Sequence, residues 1–170
     1  MNPIVLGDLT LQPQIAAHAD AMFVVLSDPM IYQYENEPPP SVEWLRDRFA
    51  KLETRRSPDG QQQWLNWVIQ LPTSELIGYV QATVLPTGRA AIAYVLSSAY
   101  WGRGLAYRAV NAMISELFAS YEVRSLSAVL KIENQRSLRL IERLRFEPAP
   151  AELHAKFDVE AGELLMQREL

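Results

Sequence analysis

The stretch "YVLSSAYWGRGLAYRAV", residues 94–110, runs from an apolar, strand-like segment through Gly102-Arg103-Gly104 into an amphipathic helix. Each glycine at a helix start costs roughly 0.5–1 kcal/mol relative to alanine. What glycine gives in return is access to the backbone. The first turn of a helix carries unpaired N–H groups and a partial positive charge, so a strand that enters Gly-x-Gly and then a helix is a place for phosphate. Two known patterns of this kind fail here. The dinucleotide fingerprint needs a third glycine where Tyr107 stands and an acidic residue closing the next strand, where "SAVLKIEN" offers only Glu133, late. The phosphate-loop triplet Gly-Lys-Ser/Thr is absent.

Outward from this stretch, hydrophobic periodicity and turn residues divide the chain. "LTLQPQ" (9–14) alternates as a short strand, and "QIAAHADAMFVVLSDP" (14–29) reads as a helix stopped before Pro29. "EPPPS" (37–41) is a stiff loop, after which Ser41 can cap a helix through "VEWLRDRFAKLETRR". Three apolar runs follow, "WLNWVIQL", "ELIGYVQATVL" and "AAIAYVLSS", separated by "PTS" and "PTGR" as in an antiparallel meander. "GLAYRAVNAMISELFASY" has the wide apolar stripe of a packed helix. A strand "VRSLSAVLK", a helix "NQRSLRLIERLRF" and a closing strand "GELLMQREL" complete the order. The pattern is one mixed-sheet α/β domain over residues 1–170, with no linker to divide it.

Composition narrows the function. At 170 residues and 49% hydrophobic, the chain can bury a full core. It has no cysteine, which excludes disulfides, a thiol nucleophile and a thiolate metal site. Its two histidines, His18 and His154, lie far apart without metal-ligand spacing, so no metal is expected. No apolar run of membrane-spanning length and no secretory leader pattern occur, which points to the cytoplasm and away from membranes. A net charge of −4 speaks against nucleic acid. Residues 101–147 nevertheless carry eight Lys/Arg against five Asp/Glu, while residues 1–62 carry five against nine. A basic half suited to an anion lies beside an acidic half suited to a cation.

A third pattern fits the opening stretch. It resembles the pyrophosphate loop of the GNAT N-acetyltransferase superfamily, and Trp101 before the first glycine resembles the branch that acetylates N-terminal amines of ribosomal proteins. "LSDPMIYQYENEPPPS", "ELIGYVQ" and "IENQRSLRLIERLRF" resemble further landmarks of that branch, in the same order. The resemblance implies a mostly antiparallel mixed sheet flanked by helices and splayed between its fourth and fifth strands. It implies acetyl-CoA as co-substrate and an amine as acceptor, either a protein N-terminus or a small molecule. Backbone amides of Gly102, Arg103, Gly104, Leu105, Ala106 and Tyr107 would hold the pyrophosphate, with charge from Arg103 and Arg108. Val95, Leu96 and Ser97 would offer backbone groups to the pantetheine arm, and the Leu96 amide would meet the oxyanion. Asn134 would touch the same arm, and it reads equally as the N-cap of the last helix. Arg136, Arg139 and Arg143 recur at helical spacing, with two of the three read as solvated surface.

The sequence also departs from the family pattern. Ile141 stands where many members place a tyrosine acid; the N-terminal-amine branch resembles this sequence in having serine, and the resemblance implies Ser137 as a hydrogen-bond donor or relay to the departing thiolate. Ala91 replaces a common glutamate in the fourth strand, Ala93 a glycine, and Arg145 a glycine before Phe146. With Ala91 unable to act as a base, the acidic loop offers Glu35 and Glu37 to attract a cationic amine, with Tyr32, Tyr34 and Trp67 as pocket walls. The missing glutamate and tyrosine also fit a module that binds acyl-CoA without turnover. A homodimer is as compatible with the sequence as a monomer.

Overall fold

The structure is a computed structural model, in which residues 1–34, 37–154, 157 and 159–169 are described. Among the described residues eight strands form one sheet: β1 (Ile4–Val5), β2 (Thr10–Pro13), β3 (Gln63–Gln70), β4 (Leu76–Val84), β5 (Arg89–Leu96), β6 (Ser125–Lys131), β7 (Glu147–Pro148) and β8 (Glu163–Glu169). Their order across the sheet is β1-β2-β3-β4-β5-β6-β8-β7. The α-helices among the described residues are α1 (Ala19–Val25), α2 (Val42–Glu53), α3 (Leu105–Ser120), α4 (Gln135–Arg143) and the single turn α5 (Ala151–His154). The mixed, mostly antiparallel α/β architecture read from the sequence is the one found. Because Ile4–Val5 adds an edge strand, the fourth and fifth strands of the sequence reading are β5 and β6.

Local chemistry sets the meander. Between β4 and β5, Leu85 N–H donates to Arg89 O at 2.8 Å around Gly88, whose φ of +78° is the left-handed conformation glycine tolerates. Two further features carry β5 into the site. The connection from β5 to β6 runs through α3, so this pair is parallel, as a crossover requires. Pairing of β5 with β6 ends at Ala91↔Ser127, whereas β5 stays paired to β4 as far as Gly78↔Leu96. The far half of β5 therefore opens away from β6 as a wedge, the expected splay.

The core lies mainly under α3. Ala109, Val110, Met113, Ile114 and Leu117 share one buried cluster with Trp67, Val80, Ile92 and Leu126. A smaller cluster joins Met22 of α1 and Leu45 and Phe49 of α2 to Val68 and Leu76. Ser41 caps α2 as its sequence suggests, its Oγ accepting from Trp44 N–H at 3.2 Å.

Arg145 takes the glycine position after α4 without losing the turn. Phe146 N–H donates to Ile141 O at 3.1 Å and Arg145 N–H to Glu142 O at 2.8 Å, the paired bonds of a Schellman stop, with Phe146 and Ile141 both buried. Arg145 itself sits at φ +65°. Relieving that conformation with Arg145→Gly is expected to stabilise the fold by about 1 kcal/mol, a rise of roughly 2–4 °C in Tm by calorimetry. An unchanged or lower Tm would show that the arginine side chain contributes as much as its backbone costs.

Candidate active site

The wedge exposes one edge of β5. Ser97 N–H donates to Ile77 O at 2.9 Å, so by the alternation of an antiparallel ladder the neighbouring Leu96 turns its N–H and C=O to the other edge. There Leu96 O accepts from the indole Nε1 of Trp101 at 2.8 Å. The tryptophan before the first glycine thus ties the loop to the strand end, and the Leu96 N–H remains on the wedge side. Gly78 makes the close approach of β4 possible: a Cβ there would lie 2.1 Å from Val95 O.

The loop that follows displays its backbone. Gly102 and Gly104 are exposed and left-handed, at φ +75° and +73°. Arg108 N–H donates to Gly104 O at 3.1 Å as the first bond of α3, and no N–H of residues 102–107 finds a backbone acceptor among the described residues. These outward amides suit a phosphate group, which is what the phosphate end of CoA requires. Arg103 is exposed and lies over the Tyr100 ring at 5.2 Å. Arg136, Arg139 and Arg143 are all exposed, and two of them reach aromatic rings: the guanidinium carbons of Arg136 and Arg143 sit 3.5 Å from the Trp101 ring centroid and 4.1 Å from that of Tyr107. They hold cationic charge against the loop and α3. Arg108, expected to add charge at the loop, is engaged elsewhere. It pairs with Asp8, Nη1 to Oδ2 at 2.8 Å, and donates to Leu6 O at 3.0 Å, so its charge is already neutralised at the β1–β2 end.

Asn134 caps α4, its Oδ1 accepting from Ser137 N–H at 3.1 Å, and both residues also line the cavity that enters the wedge. The two readings of Asn134 are therefore compatible. Tyr94 is a residue the sequence reading passed over, although "IAYVLS" contains it. Its hydroxyl donates to Ser137 O at 3.4 Å, and burial pushes its pKa up to about 12, which keeps the proton on at neutral pH. Period-2 alternation places Tyr94 on one face of β5 but says nothing of the gap into which it projects.

That cavity, about 600 Å³, continues from Tyr94, Val95 and Ser137 to Tyr32, Tyr34 and Glu37 on the acceptor side. Tyr32 donates to Leu26 O at 2.7 Å, and burial, with Tyr79 and the Asp28 carboxylate nearby, raises its pKa to about 12. Asp28 anchors the same loop to the end of β5, accepting from Ser98 N–H at 2.8 Å and Met30 N–H at 3.0 Å. Partial burial opposes its charge, but these bonds prevail and hold its carboxyl below the usual range. Glu35 lies outside the described residues. Trp67 is not a pocket wall: it is fully buried on the α3 side, with its indole donating to Asn2 O at 3.3 Å. Among the described lining residues Glu37 is the one carboxylate, and there is no histidine.

Residues 8–147 match the acetyltransferase (GNAT) domain family. The uncharacterized N-acetyltransferase p20 of Bacillus licheniformis is 30% identical over 142 residues, covering 82% of this chain and 79% of that protein. Among solved structures, a ribosomal L7/L12 α-N-protein acetyltransferase in complex with coenzyme A superposes with TM-score 0.82 and 17% identity, over 98% of this chain and 97% of the other. The ribosomal-protein-S5-alanine acetyltransferase of Vibrio fischeri does so with TM-score 0.79 and 17% identity, over 98% and 96%. A wedge in the sheet, a glycine loop with outward amides and the length of the match make the same assignment: the chain belongs to the GNAT acetyltransferase domain family, and it is an N-acetyltransferase.

Proposed function

We propose that the chain transfers the acetyl group of acetyl-CoA to a primary α-amine, with protein N-termini as the first class of acceptor. The observation that carries this reading is the continuity of one cavity from the open edge of β5 to the tyrosine-lined loop at Tyr32 and Tyr34. Two structures of the same fold, named as a ribosomal L7/L12 α-N-protein acetyltransferase and a ribosomal-protein-S5-alanine acetyltransferase, suggest this acceptor class.

In this reading the amides of residues 102–107 receive the pyrophosphate, with Arg103 beside them. The Leu96 N–H meets the negative charge that develops on the thioester oxygen, a contribution that grows toward the transition state. The amine nitrogen attacks the carbonyl carbon, the carbon–sulfur bond breaks, and the amine proton leaves through water. Ser137 and Tyr94 face the departing sulfur as donors. Tyr94, held protonated, is the stronger acid of the two. No side-chain nucleophile is needed, in keeping with a chain that lacks cysteine.

Ser137→Ala and Tyr94→Phe test the assignment. Each is expected to lower kcat by about tenfold or more while leaving the Kd of acetyl-CoA within about twofold, because a donor to the departing sulfur acts mainly in the transition state. A fall in acetyl-CoA affinity at constant kcat would reassign the residue to cofactor contact or packing.

A further inference from the structure

Beyond the wedge, one row of the sheet carries three side-chain amides. Asn66 of β3 faces Gln81 of β4 across the ladder, and Gln81 faces Ala93 of β5. Gln14, directly after β2, extends the row, its backbone N–H donating to Asn66 O at 2.9 Å. Gln14 and Asn66 are 3% and 4% exposed, yet neither side chain makes a hydrogen bond among the described residues, and Gln14 Nε2 is wholly buried and unpartnered. Buried amides are nearly always bonded, and an unpaired one costs on the order of 1–3 kcal/mol. Such a row is unusual in a core and ordinary in a binding site.

The surroundings indicate what it binds. Gln14 and Gln81 line the 600 Å³ cavity, and Asn66 and Gln81 line a second of about 330 Å³ that shares Arg48 and Leu52 with it. Arg48 and Lys51, both exposed on α2, border the second cavity, and Arg48 makes no ion pair among the described residues. Ala91 and Ala93 are exposed on the same face of β5, so no side chain fills the space above them. The acceptor cavity thus has an acidic, tyrosine-lined end at Glu37 and an amide-rich end beside two cations. Along a strand, same-face rows lie about 7 Å apart, so the amide row is one such step from Tyr79 and Val95. In an extended acceptor whose amine is at the wedge, that step is reached within the first three residues.

We infer that Gln14, Asn66 and Gln81, with Arg48, form a subsite for a carboxylate of the acceptor located within its first three residues. The amide N–H groups of Asn66 and Gln81 donate to the carboxylate oxygens, Arg48 supplies the charge, and Gln14 joins them with its amide turned over so that Nε2 faces the cavity. This inference rests on the acetyl-acceptor reading of the cavity, but its test does not depend on turnover.

The test is calorimetric titration of the CoA-saturated protein with product peptides. Acetyl-Ala-Glu-Glu-Ala-amide is expected to bind at least tenfold more tightly than acetyl-Ala-Gln-Gln-Ala-amide. Acetyl-Ala-Gly as its free acid and as its amide form a second pair, in which preference for the acid would assign the carboxylate to a small acceptor's C-terminus. Gln14→Leu should remove the preference, and Arg48→Gln, on the exposed face of a helix and safe for folding, should reduce it at least threefold. Equal affinity within both pairs would overturn the subsite, since water alone would then satisfy the amides, as would a preference that survives Arg48→Gln unchanged, since the charge would then come from elsewhere. Acetyl transfer to the unmodified peptides is measured separately. A preference without turnover would contradict the proposed function and leave the subsite standing, and turnover without preference would do the reverse.

Discussion

Gly104→Val is expected to weaken CoA binding by about a hundredfold or more, close to 2.7 kcal/mol, in a protein that still folds. Gly104 is the residue before α3 and sits at φ +73°, a conformation that costs a residue with a side chain about 1–2 kcal/mol. A Cβ there meets nothing within 4 Å, so the protein itself has room for it. What the branched side chain would cover is the set of outward amides from Gly102 to Tyr107. Gly60 provides the control. It has φ +71°, equally open space and a place in the turn closed by Gly60 N–H to Ser57 O, without amides of a helix start beside it. Gly60→Val should therefore show similar destabilisation by calorimetry and unchanged CoA affinity. Equal CoA affinity in Gly104→Val and the parent would remove the loop from the site. Arg103→Ala should lose less, and the difference should shrink as salt rises, because an exposed phosphate contact is screened.

Peptide α-amines are expected to outperform lysine side chains by about a hundredfold in kcat/KM near pH 7. The reason is the composition of the cavity. Ala91 is exposed on β5 where a carboxylate would serve as base, and Glu37 is the only acidic group among the described lining residues. An amine must then arrive neutral or lose its proton through water. With pKa values near about 8 and about 10.4, an α-amine is neutral hundreds of times more often than a lysine at that pH, and the greater nucleophilicity of lysine recovers only part of the difference. Competition between the two groups on one peptide, resolved by mass spectrometry, measures this ratio. A ratio near one would mean that the site removes protons itself.

Much of this site is legible in the residue order because its parts are local. Gly102 and Gly104 before a helix, Ser41 and Asn134 as caps, and the turn residues between the strands of the meander act within a few positions of themselves, and the structure has them as read. The misreadings concern partners distant in sequence. Arg108 pairs with Asp8, 100 residues away, and nothing local to either announces it. Trp67, expected as a pocket wall, is another. Alternation along β3 puts it on the opposite face from Asn66 and Val68, and only the packing of α3 reveals that its face is the closed one. The strand Ile4–Val5 is too short for a period to show. The amide row from Gln14 to Gln81 depends on the register of three strands at once, which no single segment encodes.

Direct attack by a neutral amine, with no enzyme base, is the centre of this account, and a pH–rate profile taken with two acceptors of different basicity tests it most directly. The account predicts that kcat/KM rises with pH until each acceptor's own pKa, so that the two rising limbs are displaced by the difference between the acceptors. Ala91→Glu should move the limb to lower pH for both. A single apparent pKa near neutrality, shared by both acceptors in the parent protein, would contradict the account and establish a base within the site.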